Sequence, residues 1–213
     1  MKPFRLLVAA LFAAASIGTA SAAVIFTETT DAGNAISTAA DTTALVGLSR
    51  IDGSLSLEQS RGPDFVDLFK ISIETGGKLR ARTGSGFDPA LIADPVLYLF
   101  DASGVGIAMD DESGGAGQAF LQTGDLLPGI YFLAIAFAGV EPLDANFNSI
   151  FDAFNTLAVL STDPLASWLE SPLAQDALGA YSIEFSVPLP GTLALALAGL
   201  LAGGVVVRRR ADA

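Results

Sequence analysis

The chain has 213 residues, 51% of them hydrophobic and 16% charged, and its 23 acidic and 11 basic side chains give a net charge of −12 at pH 7. It contains no cysteine and no histidine, which excludes disulfides, thiolate chemistry, Ser-His-Asp catalysis and the usual transition-metal ligands. The negative charge also excludes nucleic acid as an expected partner, because it repels phosphate backbones.

The first 22 residues are predicted to be a signal peptide. Lys2 and Arg5 form a short basic region, residues 6–17 are almost entirely apolar, and Ala20-Ser21-Ala22 offers the small residues that signal peptidase requires. The apolar run is short for a membrane span and is followed directly by this site, so we expect cleavage after Ala22. The body of the mature protein then covers residues 23–187 and carries a net charge of about −16.

The body shows the pattern of one domain built from short strands. Residues 65–73 alternate between a mostly apolar face and a polar one, whereas residues 96–100 and 130–137 are dense in aliphatic and aromatic side chains. Six further strands are predicted at residues 44–51, 54–58, 78–82, 106–109, 119–123 and 181–187. Nine short strands with frequent turns predict an all-β fold, an antiparallel β-sandwich.

Residues 141–179 interrupt this pattern and are interpreted as an insertion that is partly helical or irregular. Five apolar residues recur there at three- and four-residue steps: Phe147, Ile150, Phe151, Phe154 and Leu157. This spacing predicts a short amphipathic helix packed on the sandwich. Trp168 is expected to be a partly buried packing residue rather than a sugar-binding platform.

Five strand motifs follow one another in the region of residues 54–138. They read Asp67-Leu-Phe-Lys-Ile, Gly77-Lys-Leu-Arg-Ala, Asp94-Pro-Val-Leu-Tyr-Leu-Phe-Asp101, Ile107-Ala-Met-Asp-Asp111 and Gly129-Ile-Tyr-Phe-Leu-Ala-Ile135. In this order they resemble the bacterial pre-peptidase C-terminal domain family. The resemblance implies a jelly-roll-like sandwich, appended to secreted hydrolases or built into surface proteins and not itself catalytic; some members bind calcium or polymers.

Residues 188–213 are predicted to form a sorting tail with a transmembrane helix at residues 191–207. Pro188 and Pro190 precede the apolar run, and Arg208, Arg209 and Arg210 follow it as charges that remain in the cytoplasm.

Together with Val187 and Leu189, these tail residues resemble the PEP-CTERM signal of Gram-negative bacteria, in which Pro-Glu-Pro precedes an apolar helix and an arginine cluster. Leu189 stands where that signal has glutamate. The resemblance implies recognition by an exosortase-like transpeptidase. Two alternatives remain: a sortase signal, which residues 189–192 match and Leu193 does not, and an uncleaved C-terminal anchor.

The candidate metal site is acidic. Asp110, Asp111 and Glu112 end a predicted strand, and Asp101 begins the predicted hairpin turn that Gly104 closes, so their carboxylates could converge. Oxygen ligands of this kind suit calcium, and the adjoining glycine-rich loop offers backbone carbonyls. The alternative is a solvated acidic loop, since EF-hand spacing is absent. No other cofactor is predicted.

The expected function is that of an exported, non-enzymatic surface or extracellular-matrix protein of a Gram-negative bacterium. An exosortase-type system would sort it after membrane insertion, and exopolysaccharide or biofilm would be its surroundings. The alternatives are a calcium-dependent carbohydrate- or protein-binding module and a membrane-anchored surface protein. A hydrolase using two carboxylates, such as those near Asp94 and Asp101, lacks supporting residues.

Overall fold

Two five-stranded sheets form the framework of the protein. The computed structural model describes residues 23–56, 64–84, 92, 94–152, 155–169 and 179–186. The strands are β1 (Val24–Thr27), β2 (Ala40–Asp41), β3 (Leu48–Ser54), β4 (Val66–Ile73), β5 (Gly77–Thr83), β6 (Pro95–Asp101), β7 (Gly106–Asp110), β8 (Phe120–Leu126), β9 (Gly129–Phe137), β10 (Glu141–Leu143), β11 (Phe151–Asp152), β12 (Asn155–Val159), β13 (Ser167–Leu169) and β14 (Ala180–Ser186).

The first sheet has the order β1-β3-β14-β5-β8 and the second β2-β4-β9-β6-β7. Their facing side chains form one core, in which Ile51 and Leu79 from the first sheet and Phe69 and Leu133 from the second have no exposed surface. The predicted β-sandwich is therefore confirmed. It is not wholly antiparallel, because β1 pairs with β3, and β2 with β4, in parallel.

Eight of the nine predicted strands correspond to observed ones, from β3 to β9 and in β14. The exception is the strand predicted at residues 54–58, of which residues 57 and 58 lie outside the described residues. Ser54 ends β3, and Ser56 makes only an isolated bridge to Asp64. The alternation that identified the strands is visible in β5, where Leu79 and Ala81 are buried and the residues between them are exposed.

The short helix predicted in the insertion is wrong. Phe147 lies in a turn with φ of +63°, and β11 and β12 form an antiparallel pair after it. The carboxylate of Asp144 accepts hydrogen bonds from the backbone amides of Asn146 and Asn148, at 2.8 and 3.0 Å. These side-chain bonds stabilise a turn instead of the first turn of a helix. The described part of the chain contains strands and turns, without helix.

The insertion covers the outer face of β6. Trp168 packs edge-on against Tyr98 and Phe100, with ring centroids 5.6 and 6.2 Å apart, and its indole nitrogen donates to the carbonyl of Asn34 at 2.7 Å. Phe151 contacts the same two rings. This layer explains why β6 is buried on both faces and confirms Trp168 as a packing residue.

Both ends of the chain lie outside the described residues. This applies to the predicted signal peptide at residues 1–22 and to the tail at residues 188–213, including its transmembrane segment at residues 191–207. Within the described ranges, no helix is long and apolar enough to span a bilayer.

Candidate functional site

Carboxylates from both sheets converge at one edge of the sandwich. Glu28 and Asp31 belong to the segment that follows β1, whereas Asp67 lies in β4 of the second sheet. One ligand oxygen from each of the three lies within 4.8 Å of the others. We refer to Glu28, Asp31 and Asp67 as the carboxylate cluster.

Asp67 is the buried member of the cluster, with no exposed surface. Its Oδ2 accepts a 2.6 Å hydrogen bond from the hydroxyl of Tyr181, while its Oδ1 has no hydrogen-bond partner among the described residues. An acceptor left without a partner in the interior costs about 1–3 kcal/mol, and more when it is charged. A ligand that supplies positive charge at Oδ1 would remove this cost.

Backbone amides hold the two other members of the cluster in place. Glu28 accepts hydrogen bonds from the amides of Ala32 at 2.8 Å and Ser54 at 3.1 Å, and Asp31 accepts one from Gly33 at 2.7 Å. The segment after β1 therefore folds around its own carboxylates, and both side chains are positioned before any ligand arrives.

The carboxyl groups in and beside the cluster repel one another. Burial raises the pKa of Asp67 well above its usual range, and the charges of Asp64 and Glu28 raise it further. Burial also raises the pKa of Asp64 to about 7, with added repulsion from Asp31 and Glu28. Among the described residues, every charge that raises or lowers the pKa of these two carboxyl groups is negative. Such a site holds protons or a cation, since either relieves the repulsion.

The backbone of β3 passes close to this cluster at Gly53. A Cβ atom there would overlap the hydroxyl of Tyr181 and the carboxylate of Glu28. Glycine at this position therefore allows the tyrosine and the glutamate to approach the strand together. The set of oxygens, all from carboxylates, with a tyrosine hydroxyl beside them, has the chemistry of a calcium site rather than of a transition-metal site.

The acidic residues selected from the sequence form a different arrangement. Asp101 Oδ1 accepts hydrogen bonds from the amides of Ser103 and Val105, at 2.8 and 3.0 Å, and so caps the hairpin turn. Gly104 has φ of +89° there, as its place in the turn predicted. Asp110 lies at the far end of the same hairpin, where it pairs with Leu97.

The structure therefore does not bring Asp101 and Asp110 together. Asp110 Oδ1 accepts hydrogen bonds from the amides of Ser113 at 3.1 Å and Phe120 at 2.6 Å. Asp111 and Glu112 lie in the turn after β7, close enough to Asp94 for their charges to add to the burial that raises its pKa. The predicted sorting residues, Val187, Pro188, Leu189, Pro190, Arg208, Arg209 and Arg210, lie outside the described residues.

Sequence reasoning missed the carboxylate cluster, although one signal pointed to it. Asp67 occupies the same face as Phe65, Phe69, Ile71 and Ile73, an otherwise apolar series that faces the core. A lone carboxylate at a core position requires a partner. The partners Glu28 and Asp31 are far away in the chain. The pairing of β1 with β3, and a hydrogen bond from the amide of Leu68 to the carbonyl of Gly33, bring them near Asp67.

Comparison with solved structures finds similarity to the pre-peptidase C-terminal domain of a collagenase from Bacillus anthracis, at 13% sequence identity. The match covers 65% of this chain and 88% of that one, with a TM-score of 0.35. We draw no functional conclusion from a similarity of this degree. No protein-family model and no curated protein matches the sequence. The structure alone defines the class of protein, which is a β-sandwich with a carboxylate cluster at its edge.

Proposed function

We propose that this chain is an exported, non-enzymatic surface or extracellular-matrix protein whose β-sandwich binds calcium at the carboxylate cluster. The observation that carries the proposal is the buried Oδ1 of Asp67, which has no partner among the described residues and lies beside Glu28 and Asp31. Calcium takes six to eight oxygen ligands in a flexible geometry, so carboxylates, backbone carbonyls and water complete its shell.

The cation would act as a cross-link between the sheets. Glu28 and Asp31 lie in the segment that leads from β1 of the first sheet to β2 of the second, and Asp67 lies in β4 of the second sheet. The chain has no cysteine, so disulfides cannot join its elements outside the cell. A bound ion that favours the folded state stabilises it by mass action, and extracellular calcium is abundant enough to fill sites of modest affinity.

Hydrolysis is a poor alternative for this cluster. A glycosidase of the two-carboxylate type needs both groups at the scissile bond, and Asp67 has no exposed surface with which to reach a substrate.

The test of calcium binding is thermal unfolding of the full-length chain with EDTA, calcium or magnesium. Saturating calcium is expected to raise the melting temperature by about 5–10 °C, and Asp67→Asn to remove the rise. Asp111→Asn is the matched control, because it removes the same charge from the acidic turn after β7. An equal rise in Asp67→Asn and wild type would contradict the proposal, and a rise lost only in Asp111→Asn would move the site to that turn.

The proposed route to the surface rests on the two chain ends. A basic and apolar N-terminus with a small-residue site supports export, and the Pro-containing turn, apolar run and arginines at residues 187–210 support sorting by an exosortase. The intact mass of the protein from membrane, matrix and medium fractions tests this route. A C-terminus between residues 187 and 192 is expected, whereas a mass that includes residues 208–213 would make the protein a retained membrane anchor.

A further inference from the structure

The outer face of the first sheet holds most of the basic residues in the described part of the chain, interspersed with the carboxylates of Asp52, Asp125 and Glu184. Four of the five Lys and Arg residues in the described part of the chain lie there: Arg50, Lys78, Arg80 and Arg82. Because side chains alternate along a strand, Lys78, Arg80 and Arg82 all project outward from β5 while Leu79 and Ala81 enter the core. The negative net charge of the whole chain does not reveal this local group of cations.

A cleft of about 460 Å³ lies on this face and includes all three arginines in its lining. The residues at the base of the cleft form a row across four strands. Glu184 of β14 pairs with Arg50 of β3 on one side and with Arg82 of β5 on the other. Arg82 in turn pairs with Phe120 of β8. Neighbouring strands are about 4.8 Å apart. The row therefore presents a cation, a carboxylate, a second cation and an aromatic ring in sequence.

Two of the arginines are available to a ligand. Arg50 forms a 2.6 Å ion pair with Asp52, whereas neither Arg80 nor Arg82 has a carboxylate within 4.0 Å among the described residues. Arg80 donates to the amide oxygen of Gln122 at 3.2 Å, and Arg82 donates to the carbonyl of Gly114 at 2.9 Å. These neutral contacts orient both guanidinium groups and leave them without an ion pair among the described residues. Guanidinium groups bind carboxylates in a bidentate manner.

We propose that this cleft binds a carboxylated sugar of a uronic-acid polymer, with Arg80 and Arg82 as the carboxylate-binding residues. Glu184 accepts hydrogen bonds from sugar hydroxyls, which a uronic-acid polymer keeps free and a densely sulfated polymer has largely esterified. Phe120 offers an apolar surface to a ring face beside Arg82. The proposal deepens the proposed extracellular function by naming a ligand class, and to that extent rests on it.

A protein partner fits the same cleft less well. The centre of a protein interface is usually apolar and depleted in charged residues. Four of the nine residues that line this cleft are charged and two carry hydroxyl groups, and the other three are Ala23, Phe120 and Phe185. Its volume lies within the range of small-ligand sites, about 300–1,000 Å³. Cleft size and lining therefore favour a few sugar units over a folded surface.

Calorimetric titration of the full-length chain with sodium oligogalacturonate, in EDTA, tests the inference. Saturable binding is expected, weakened about tenfold or more in Arg80→Gln/Arg82→Gln. Lys78→Gln is the matched control, since it removes one charge from the same face and strand outside the cleft lining, and it should change affinity by less than about twofold. Unchanged melting temperatures establish that both variants fold. Arg82→Lys keeps the positive charge but loses the planar guanidinium group that binds a carboxylate through two hydrogen bonds, so it should also weaken binding.

Three further ligands show whether binding requires the carboxyl groups of the sugar or only negative charge. The same oligosaccharide with its carboxyl groups reduced should not bind, and dextran sulfate and inorganic phosphate should bind more weakly than oligogalacturonate. Absence of binding by wild type, equal binding by the double-arginine variant, or tighter binding of dextran sulfate would overturn the inference. EDTA removes calcium from the assay and export plays no part in it, so failure here is distinguishable from failure of the calcium site or of the sorting route.

Discussion

Tyr181 donates a 2.6 Å hydrogen bond from its hydroxyl to Asp67 Oδ2, and the bond crosses from β14 of the first sheet to β4 of the second. Both residues are buried, with exposed fractions of 2% and 0%. The same hydroxyl lies 3.4 Å from Glu28. One phenol therefore positions the buried carboxylate and contacts a second member of the carboxylate cluster.

Tyr181→Phe is expected to destabilise the protein by about 1–3 kcal/mol, because both oxygens of Asp67 are then left without a protein partner. It should also weaken calcium binding by releasing Asp67 from its fixed orientation. Urea unfolding and a calcium titration of the melting temperature measure the two effects. Tyr131→Phe is the control, since it removes a hydroxyl that donates to the carbonyl of Leu127 at 2.8 Å, away from the cluster. Equal calcium dependence in both variants would separate Tyr181 from the site.

The metal-free protein is expected to lose stability as pH rises from about 4 to about 9. The carboxyl of Asp64 has a folded-state pKa of about 7 against an ordinary value of 3.8, and the pKa of Asp67 is also raised. Between these values the folded state binds more protons than the unfolded state, so the free energy of unfolding falls with increasing pH. The stabilisation is complete below the unfolded pKa and disappears above the folded one.

Urea unfolding in EDTA across this pH range measures the loss. Asp64→Asn should flatten the profile, and saturating calcium should oppose the fall, since the cation binds the ionised groups. A metal-free profile that rises with pH would contradict the shifts assigned to Asp64 and Asp67.

The strands were predictable from the sequence because alternation is a local property. Leu79 and Ala81, or Phe69 and Ile71, lie two residues apart on one face and need no distant partner to be recognised. The parallel pairing of β1 with β3 was not predictable, since it joins segments that share no turn. The carboxylate cluster depends on that pairing and could not be recognised from the sequence. The metal site was therefore predicted at the acidic run of residues 110–112 instead.

The insertion was misread for a different physical reason. Apolar residues at three- and four-residue steps fit a helix, but Phe147, Phe151 and Leu157 are divided between a turn and two short strands. Asp144 decides the outcome by accepting hydrogen bonds from the amides that a helix would use. Side chains that bind local backbone override periodicity in segments this short.

Asp144 should be a stability determinant of the insertion. Besides the amides of Asn146 and Asn148, it accepts a 2.7 Å hydrogen bond from the hydroxyl of Ser161, and these bonds lower its pKa to about 2. Asp144→Ala is expected to expose the turn at residues 144–148 to limited proteolysis, because its amides lose their acceptor. Asp125→Ala, which removes an exposed carboxylate of β8 outside the insertion, is the control. Equal cleavage of the two variants would show that Asp144 does not hold the turn.

Phe147 combines a left-handed backbone, φ +63°, with a side chain that is 79% exposed. A bulky residue in this conformation is strained, whereas asparagine adopts it more readily. Phe147→Asn is therefore expected to stabilise the protein by about 0.5–1 kcal/mol, since little apolar burial is lost.

Leu127→Asn is the matched control. Leu127 is 77% exposed and its backbone does not have positive φ, so the same kind of replacement relieves no strain there. Urea unfolding of both variants should show a gain for Phe147→Asn and a change within about 0.5 kcal/mol for Leu127→Asn. A loss of stability in Phe147→Asn would mean that the phenyl ring contributes more packing than its exposure indicates.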